Sequence, residues 1–120
     1  MIAVIFELTA NDGRGDDYFA LAGDLRALLG GIDGFLSVER YQSLAEPGRY
    51  LSLSFWRDEA AVGAWRNTTG HRAAQAAGRA GILKDYRLRV AEVTRDYGLL
   101  NRAETPADSR DFHAAAPGKL

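Results

Sequence analysis

The sequence predicts an α+β domain with the element order β-α-β-β-α-β. Three observations lead there. Apolar residues recur at every second position near the N-terminus and again over 50–56, the period of a half-buried strand. Between 18 and 29 they recur at helical spacing instead. Two strand-like stretches, 35–44 and 50–56, then follow one another across a short Glu46-Pro47-Gly48 turn, which is the signature of an antiparallel hairpin. This order is the ferredoxin-like split βαβ arrangement, a four-stranded antiparallel sheet with helices on one face.

Each element has its own justification. Ile2, Val4, Phe6 and Leu8 share one face of a first strand, and Asn11-Asp12-Gly13-Arg14-Gly15 is a turn cluster after it. Asp16 or Asp17 is placed to cap a helix whose apolar face is Tyr18, Leu21, Ala22, Leu25, Leu28 and Leu29. Gly30-Gly31 is expected to end it in a left-handed C-cap. In the third strand Leu51, Leu53 and Phe55 point one way and Ser52, Ser54 and Trp56 the other. Asp58 is the expected cap of a short helix over 59–66, and Asn67-Thr68-Thr69-Gly70 breaks it and caps an alanine-rich helix over 71–80. A last strand is expected over 84–97. Its apolar phase slips from Leu88 and Val90 to Ala91 and Val93, which predicts a bulge there or cover on both faces.

The predicted domain spans residues 1–98, with 99–120 as a C-terminal tail. That tail has little to bury by itself, so it is either an arm on a partner subunit or a loose end. A four-stranded sheet with helices on one side leaves its other side to be covered, and self-association through the sheet faces is the simplest cover.

Composition narrows the functional classes. The chain has 120 residues, 47% apolar and 26% charged, with a formal net charge of -1. Such a balance gives no basic stripe for nucleic acid and no pull toward anionic membranes. There are no cysteines, which removes disulfides, thiolate nucleophiles and metal–thiolate sites. Only two histidines, His71 and His113, are present; His113 lies in the tail and no carboxylate pairs with His71 at ligand spacing, so no metal site is expected. No run of about 18 apolar residues exists to span a bilayer. No targeting address is visible, so a cytoplasmic location is the expectation.

The block from Ser52 to Val62, followed by Ala64-Trp65-Arg66 and His71-Arg72, is similar to the antibiotic-biosynthesis monooxygenase family, as is Ile32-Asp33-Gly34-Phe35 opening the second strand. The resemblance covers about residues 1–97. It implies a homodimeric α/β barrel in which two sheets face each other and each subunit holds a pocket between sheet and helices. Some members oxidise polycyclic phenols or quinols with oxygen and no bound cofactor, and a sister group cleaves haem. The haem-cleaving pattern has an asparagine in the first strand, a tryptophan on the helix after the third strand and a haem-ligating histidine further on. Trp65 matches the tryptophan. The first strand carries Phe6 and Glu7 instead of an asparagine, His71 sits a turn early, and Gln75 falls near the histidine's place.

His71, Gln75 and Arg79 are spaced i, i+4, i+8 and share a helix stripe. Cofactor-free oxygenation needs a deprotonated, electron-rich substrate, hence a base, an apolar pocket and a cation near the developing anion. His71 is the candidate base and Arg79 the anion stabiliser, with Gln75 as a hydrogen-bond donor. Trp65, Tyr86 and Trp56 are candidate pocket walls. The alternatives remain open: a solvated polar stripe for the helix, and core packing for the tryptophans. The function expected first is a cofactor-independent monooxygenase of small aromatic, phenolic or quinol substrates with oxygen. The alternatives are a haem-degrading monooxygenase and a non-catalytic small-molecule-binding dimer.

Overall fold

Four strands pair in the order β2-β3-β1-β4, each antiparallel to its neighbours. They are β1 (Ile2–Ala10), β2 (Phe35–Gln42), β3 (Arg49–Trp56) and β4 (Leu83–Glu92). The structure, a computed structural model, describes residues 1–115. Helix α1 (Gly15–Leu29) joins β1 to β2, α2 (Glu59–Arg66) and α3 (Thr69–Ala77) join β3 to β4, and α4 (Ala107–Ala115) follows the sheet. This is the α+β ferredoxin-like fold. No helix among the described residues is long and apolar enough to cross a membrane.

The pairing register settles which side chains share a face. Val4, Ser54, Val38 and Val90 form one row across the sheet, and Phe6, Ser52, Arg40 and Leu88 the next. Both rows face the helices. The opposite face carries Ile5, Leu53, Glu39 and Arg89 in one row and Glu7, Leu51, Tyr41 and Arg87 in the next. There Glu7 bridges Arg49 at 2.9 Å and Arg89 at 3.0 Å. In β2 the register shifts between Phe35 and Ser37, so Phe35 and Val38 both reach the core although they are three residues apart.

Beneath the helices the core forms two clusters. Ile2, Leu29, Trp56, Ala61, Val62 and Trp65 make one, and Leu8, Tyr18, Ala22 and Ile82 the other. Trp56 is 1% exposed and is held by more than burial: its Nε1 donates to Ser54 Oγ at 2.9 Å. Phe35 meets it edge-on at 5.3 Å. The α2 start is pinned to the β2 start. Asp58 caps α2 by accepting from Ala61 N at 2.9 Å, and Arg57 grips both oxygens of Asp33 at 3.1 Å. Gly34 between them needs its glycine twice over. Its φ is +88°, and a Cβ would meet Ala61 Cβ at 2.7 Å.

Several expectations are corrected. Neither Asp16 nor Asp17 caps α1: the helix begins at Gly15, both acids lie in its first turn, and Arg14 at the cap position pairs through its own side chain with Asp17. The acids still favour the positive end of the helix dipole. Gly30 ends α1 with φ -60°, a right-handed rather than left-handed cap, because the chain leaves through a tight turn closed by Ile32 N on Leu29 O at 3.0 Å. The second helical stretch stops at Ala77 and widens into a π-turn, Gly78–Ile82, with Gly81 at φ +131°. In β4 no slip occurs between Leu88 and Ala91, since Val90 and Ala91 simply face opposite sides, and the strand ends at Glu92. The irregularity sits at its other end, opposite Thr9 and Ala10. Tyr41 stands opposite Leu51 across the β2–β3 register and donates to Glu39 on its own strand, while Tyr50, opposite Leu8 and Gln42, stacks on Tyr18 of α1 at 5.8 Å.

After β4 the chain leaves the body. The radius of gyration is 17.8 Å with a longest extent of 55 Å, against about 14 Å for a compact domain of this length. Leu99, Leu100 and Phe112 are exposed along this stretch. Part of the expected tail, residues 116–120, lies outside the described residues.

Candidate functional site

Between the two core clusters lies a cavity of about 370 Å³, walled by the helix-facing side of the sheet and by α1, α2 and α3. It exists because the residues at its centre are small. Ser52 and Ser54 stand where a filled sheet would carry large side chains, and Ala74 and Gly78 thin the opposite helix. The alanine-rich composition of α3 therefore makes room rather than close packing. At this size the cavity suits a small organic molecule.

All six residues singled out from the sequence line this cavity: Trp56, Trp65, His71, Gln75, Arg79 and Tyr86. Trp56 and Trp65 are core and wall at once, both nearly buried. They stack at 6.4 Å, and Trp65 stacks in turn on the His71 ring at 4.9 Å with only 14° between planes. A ladder of rings thus runs from the sheet through Phe35, Trp56 and Trp65 to His71. Tyr86 sits at the open side, 49% exposed, with its ring 5.7 Å from Phe6. Arg79 is exposed at the rim.

His71 is placed by its helix start. Thr68 caps α3 by accepting from His71 N at 3.2 Å, which turns the imidazole back onto Trp65. Burial pushes its pKa below the ordinary histidine value; the carbonyls of Arg66 and Trp65 oppose this, and the Arg72 charge adds to it. Its Nδ1 is buried without a hydrogen-bond partner. The ring is thus neutral near pH 7, the form that accepts a proton. Gln75 is held by Arg72, whose Nη1 donates to Gln75 Oε1 at 3.0 Å and whose Nη2 donates to Asn67 Oδ1 at 2.7 Å.

Electrostatically the lining is one-sided. Arg40, Arg66, Arg72 and Arg79 border the cavity, and no aspartate or glutamate does, although the chain as a whole is slightly acidic. Most of the remaining wall is aliphatic or aromatic, including Val4, Phe6, Leu25 and Leu88. Such a cavity favours an anion of an otherwise apolar molecule. Of these cations only Arg79 is a site candidate from the sequence; Arg66 and Arg72 enter there solely within the resemblance block, and Arg40 not at all. For Arg40 the signal is a charged residue in the core-facing phase of β2, hidden by the register shift after Phe35, which inverts the phase counted from the start of the strand. Among the described residues no group of three or more His, Asp or Glu is placed to hold a metal.

The haem pattern does not fit this wall. Phe6 occupies the cavity face of β1 and Glu7 points to the other side of the sheet, so no first-strand amide is available. The side chain at the expected ligand's place is the Gln75 carboxamide, which is not among the usual axial ligands of haem iron.

Comparison with known proteins adds to the geometry. A family model for antibiotic biosynthesis monooxygenases matches residues 1–77. A jasmonate monooxygenase of Pyricularia oryzae is 51% identical over 113 residues, covering 92% of this chain and 52% of that protein, so the chain spans about half the length of that relative. The protein YqjZ of Bacillus subtilis is 33% identical over 93 residues, covering 78% of this chain and 79% of that one. Among solved structures, SnoaB, a cofactor-independent oxygenase from Streptomyces nogalater, superposes with a TM-score of 0.71 at 14% identity, covering 79% of this chain and 94% of that one. At that identity the likeness shows the shared fold.

Proposed function

Because the chain belongs to the antibiotic biosynthesis monooxygenase family, we propose that its cavity oxygenates a small phenol or quinol with molecular oxygen and no bound cofactor. The observation that carries this reading is the pairing of a half-buried neutral imidazole, His71, with four arginines and no carboxylate on an otherwise apolar wall.

His71 accepts the substrate's hydroxyl proton, and Arg79 on the turn after α3 stabilises the phenolate. The phenolate passes one electron to oxygen, and recombination of the two radicals makes a carbon–oxygen bond and a peroxide anion. Protonated His71 returns its proton to the outer oxygen. Loss of the ring C–H proton then breaks the O–O bond. One oxygen stays on the ring as a carbonyl and the other leaves as hydroxide, which takes up the released proton to become water. Phenol and oxygen thus give quinone and water. Trp65 and Tyr86 hold the ring between aromatic faces.

The 51% identity to a jasmonate monooxygenase favours one variation, in which the enolate of an alicyclic ketone replaces the phenolate as the electron donor. The test is oxygen consumption by the metal-free protein with hydroxynaphthalenes, quinols and jasmonate. Uptake that needs protein, survives chelator and falls at least about 100-fold in His71→Ala supports the base role, which spans about 10²–10⁴ in rate. Absence of uptake across the panel favours a non-catalytic binding domain.

The same reading includes a homodimer. Ile5, Leu51, Leu53 and Phe55 lie on the sheet face that carries no helices, and a second sheet would cover them. The stretch beyond β4, with its exposed Leu99 and Leu100, serves as an arm onto the partner.

A further inference from the structure

Arg40 differs from the other cavity cations. Arg66, Arg72 and Arg79 are exposed, whereas Arg40 rises from the middle of β2 and is half-buried beneath α1. Its Nη2 donates to the carbonyl of Ala22 at 2.9 Å. Its Nε is buried and donates to nothing, and the guanidinium forms no ion pair among the described residues. An Nε–H of a guanidinium withdrawn from water with no acceptor is costly. A ligand oxygen in the cavity would supply the missing acceptor.

Its surroundings specify what kind of acceptor. The Tyr18 hydroxyl lies beside the guanidinium; burial raises the pKa of this phenol, Arg40 opposes the shift, and the group remains a neutral O–H donor. Ser52 faces Arg40 directly across the β2–β3 register, adding a second hydroxyl on the same wall. The Arg40 guanidinium and two hydroxyls able to donate, Tyr18 from α1 and Ser52 from β3, therefore converge at one end of the cavity with no carboxylate among them. They stand on a different wall from His71, Gln75 and Arg79, which are borne on α3 and the turn that follows it.

Resting on the reading of this cavity as a substrate site, we propose that the substrate carries a carboxylate, separate from the group that is oxidised, and that Arg40 seats it with Tyr18 as a second donor. A planar carboxylate matches the guanidinium fork, with two oxygens for two N–H groups. Seating it on the sheet fixes one end of the molecule, so the oxidisable end is presented to the helix wall that carries His71. Tethering of that kind shows in the orientation of the reacting group and hence in rate, as well as in affinity.

The test is calorimetric binding of 1-naphthoate and of its methyl ester to the full chain, since the two share the ring system and carbonyl and the ester replaces the ionised oxygen with a methoxy group. Wild type is expected to bind the acid about tenfold or more tightly than the ester, the scale of a hydrogen bond to a charged group. Arg40→Met should abolish that preference by weakening the acid about tenfold or more and the ester far less, and the retained ester binding reports an intact cavity. Tyr18→Phe should reduce the preference about threefold or more. Equal affinity for acid and ester in wild type overturns the proposal without any variant, and so does a preference that survives Arg40→Met. Because binding needs no turnover, oxygen uptake without acid preference sinks this inference alone, and acid preference without uptake sinks the oxygenase reading alone.

Discussion

The two faces of the sheet invert the usual rule for sides of a protein. Toward the helices β3 presents Ser52, Ser54 and Trp56, and toward the open side it presents Leu51, Leu53 and Phe55. The covered face contains hydroxyls and an arginine and leaves a cavity. The open face is apolar at its centre and ringed by the Glu7, Arg49 and Arg89 ion pairs. An apolar interior that sets hydroxyls and arginines around a cavity marks a place kept for a ligand. An apolar exterior marks a place kept for a partner. Four perturbations sharpen or break that contrast.

Trp56→Ala has the largest expected effect. It removes the largest fully buried side chain, the partner of Phe35 and Trp65, and should destabilise by about 3–5 kcal/mol in urea unfolding. A loss below about 1 kcal/mol would show that the cavity wall is not also the core. Leu53→Lys places a charge at the centre of the open face. It should raise the dimer dissociation constant by about two orders of magnitude in light scattering, with little change in the folding of the monomer. A wild-type chain that is monomeric at all concentrations would remove the partner from the comparison.

Ser54→Ala tests one of those interior hydroxyls on its own terms. It leaves Trp56 Nε1 without its acceptor in a buried setting and should cost about 1–3 kcal/mol. A neutral result would mean that water replaces the hydroxyl. The smallest effect is a slope. His71 has a folded pKa below 6.5, so above 6.5 the ring is neutral in both folded and unfolded chains and contributes no pH dependence. As the pH falls from 6.5 toward the folded value, the unfolded chain binds a proton that the folded chain does not, and stability declines. His71→Phe should flatten that acid decline of the urea midpoint, and an unchanged slope would show that the ring is not shielded.

The helix wall of the site was legible because helical periodicity is local. His71, Gln75 and Arg79 share a stripe by arithmetic alone, and the Asp58 and Thr68 caps follow from residue type. The sheet wall was not. Arg40 and Ser52 become neighbours only through the β2–β3 register, and that register hinges on an irregularity after Phe35 that inverts the phase of the strand. Nor did local reading anticipate that α1 would begin at Gly15 or that α3 would loosen into a π-turn, because the tight turns and the sheet's pull on Leu83 set those ends.

By itself the sequence determined the element order, the fold class and which helix carries the candidate base, since alternation, helical spacing and capping act over a few residues. The tertiary structure alone decided that the serines of β3 leave a cavity, that every charged side chain on its wall is an arginine, and that the Nε of Arg40 is buried there without an acceptor. Those facts depend on strand register and on how helices lie across a sheet, which bring together residues far apart in the chain and are written in no single segment of it.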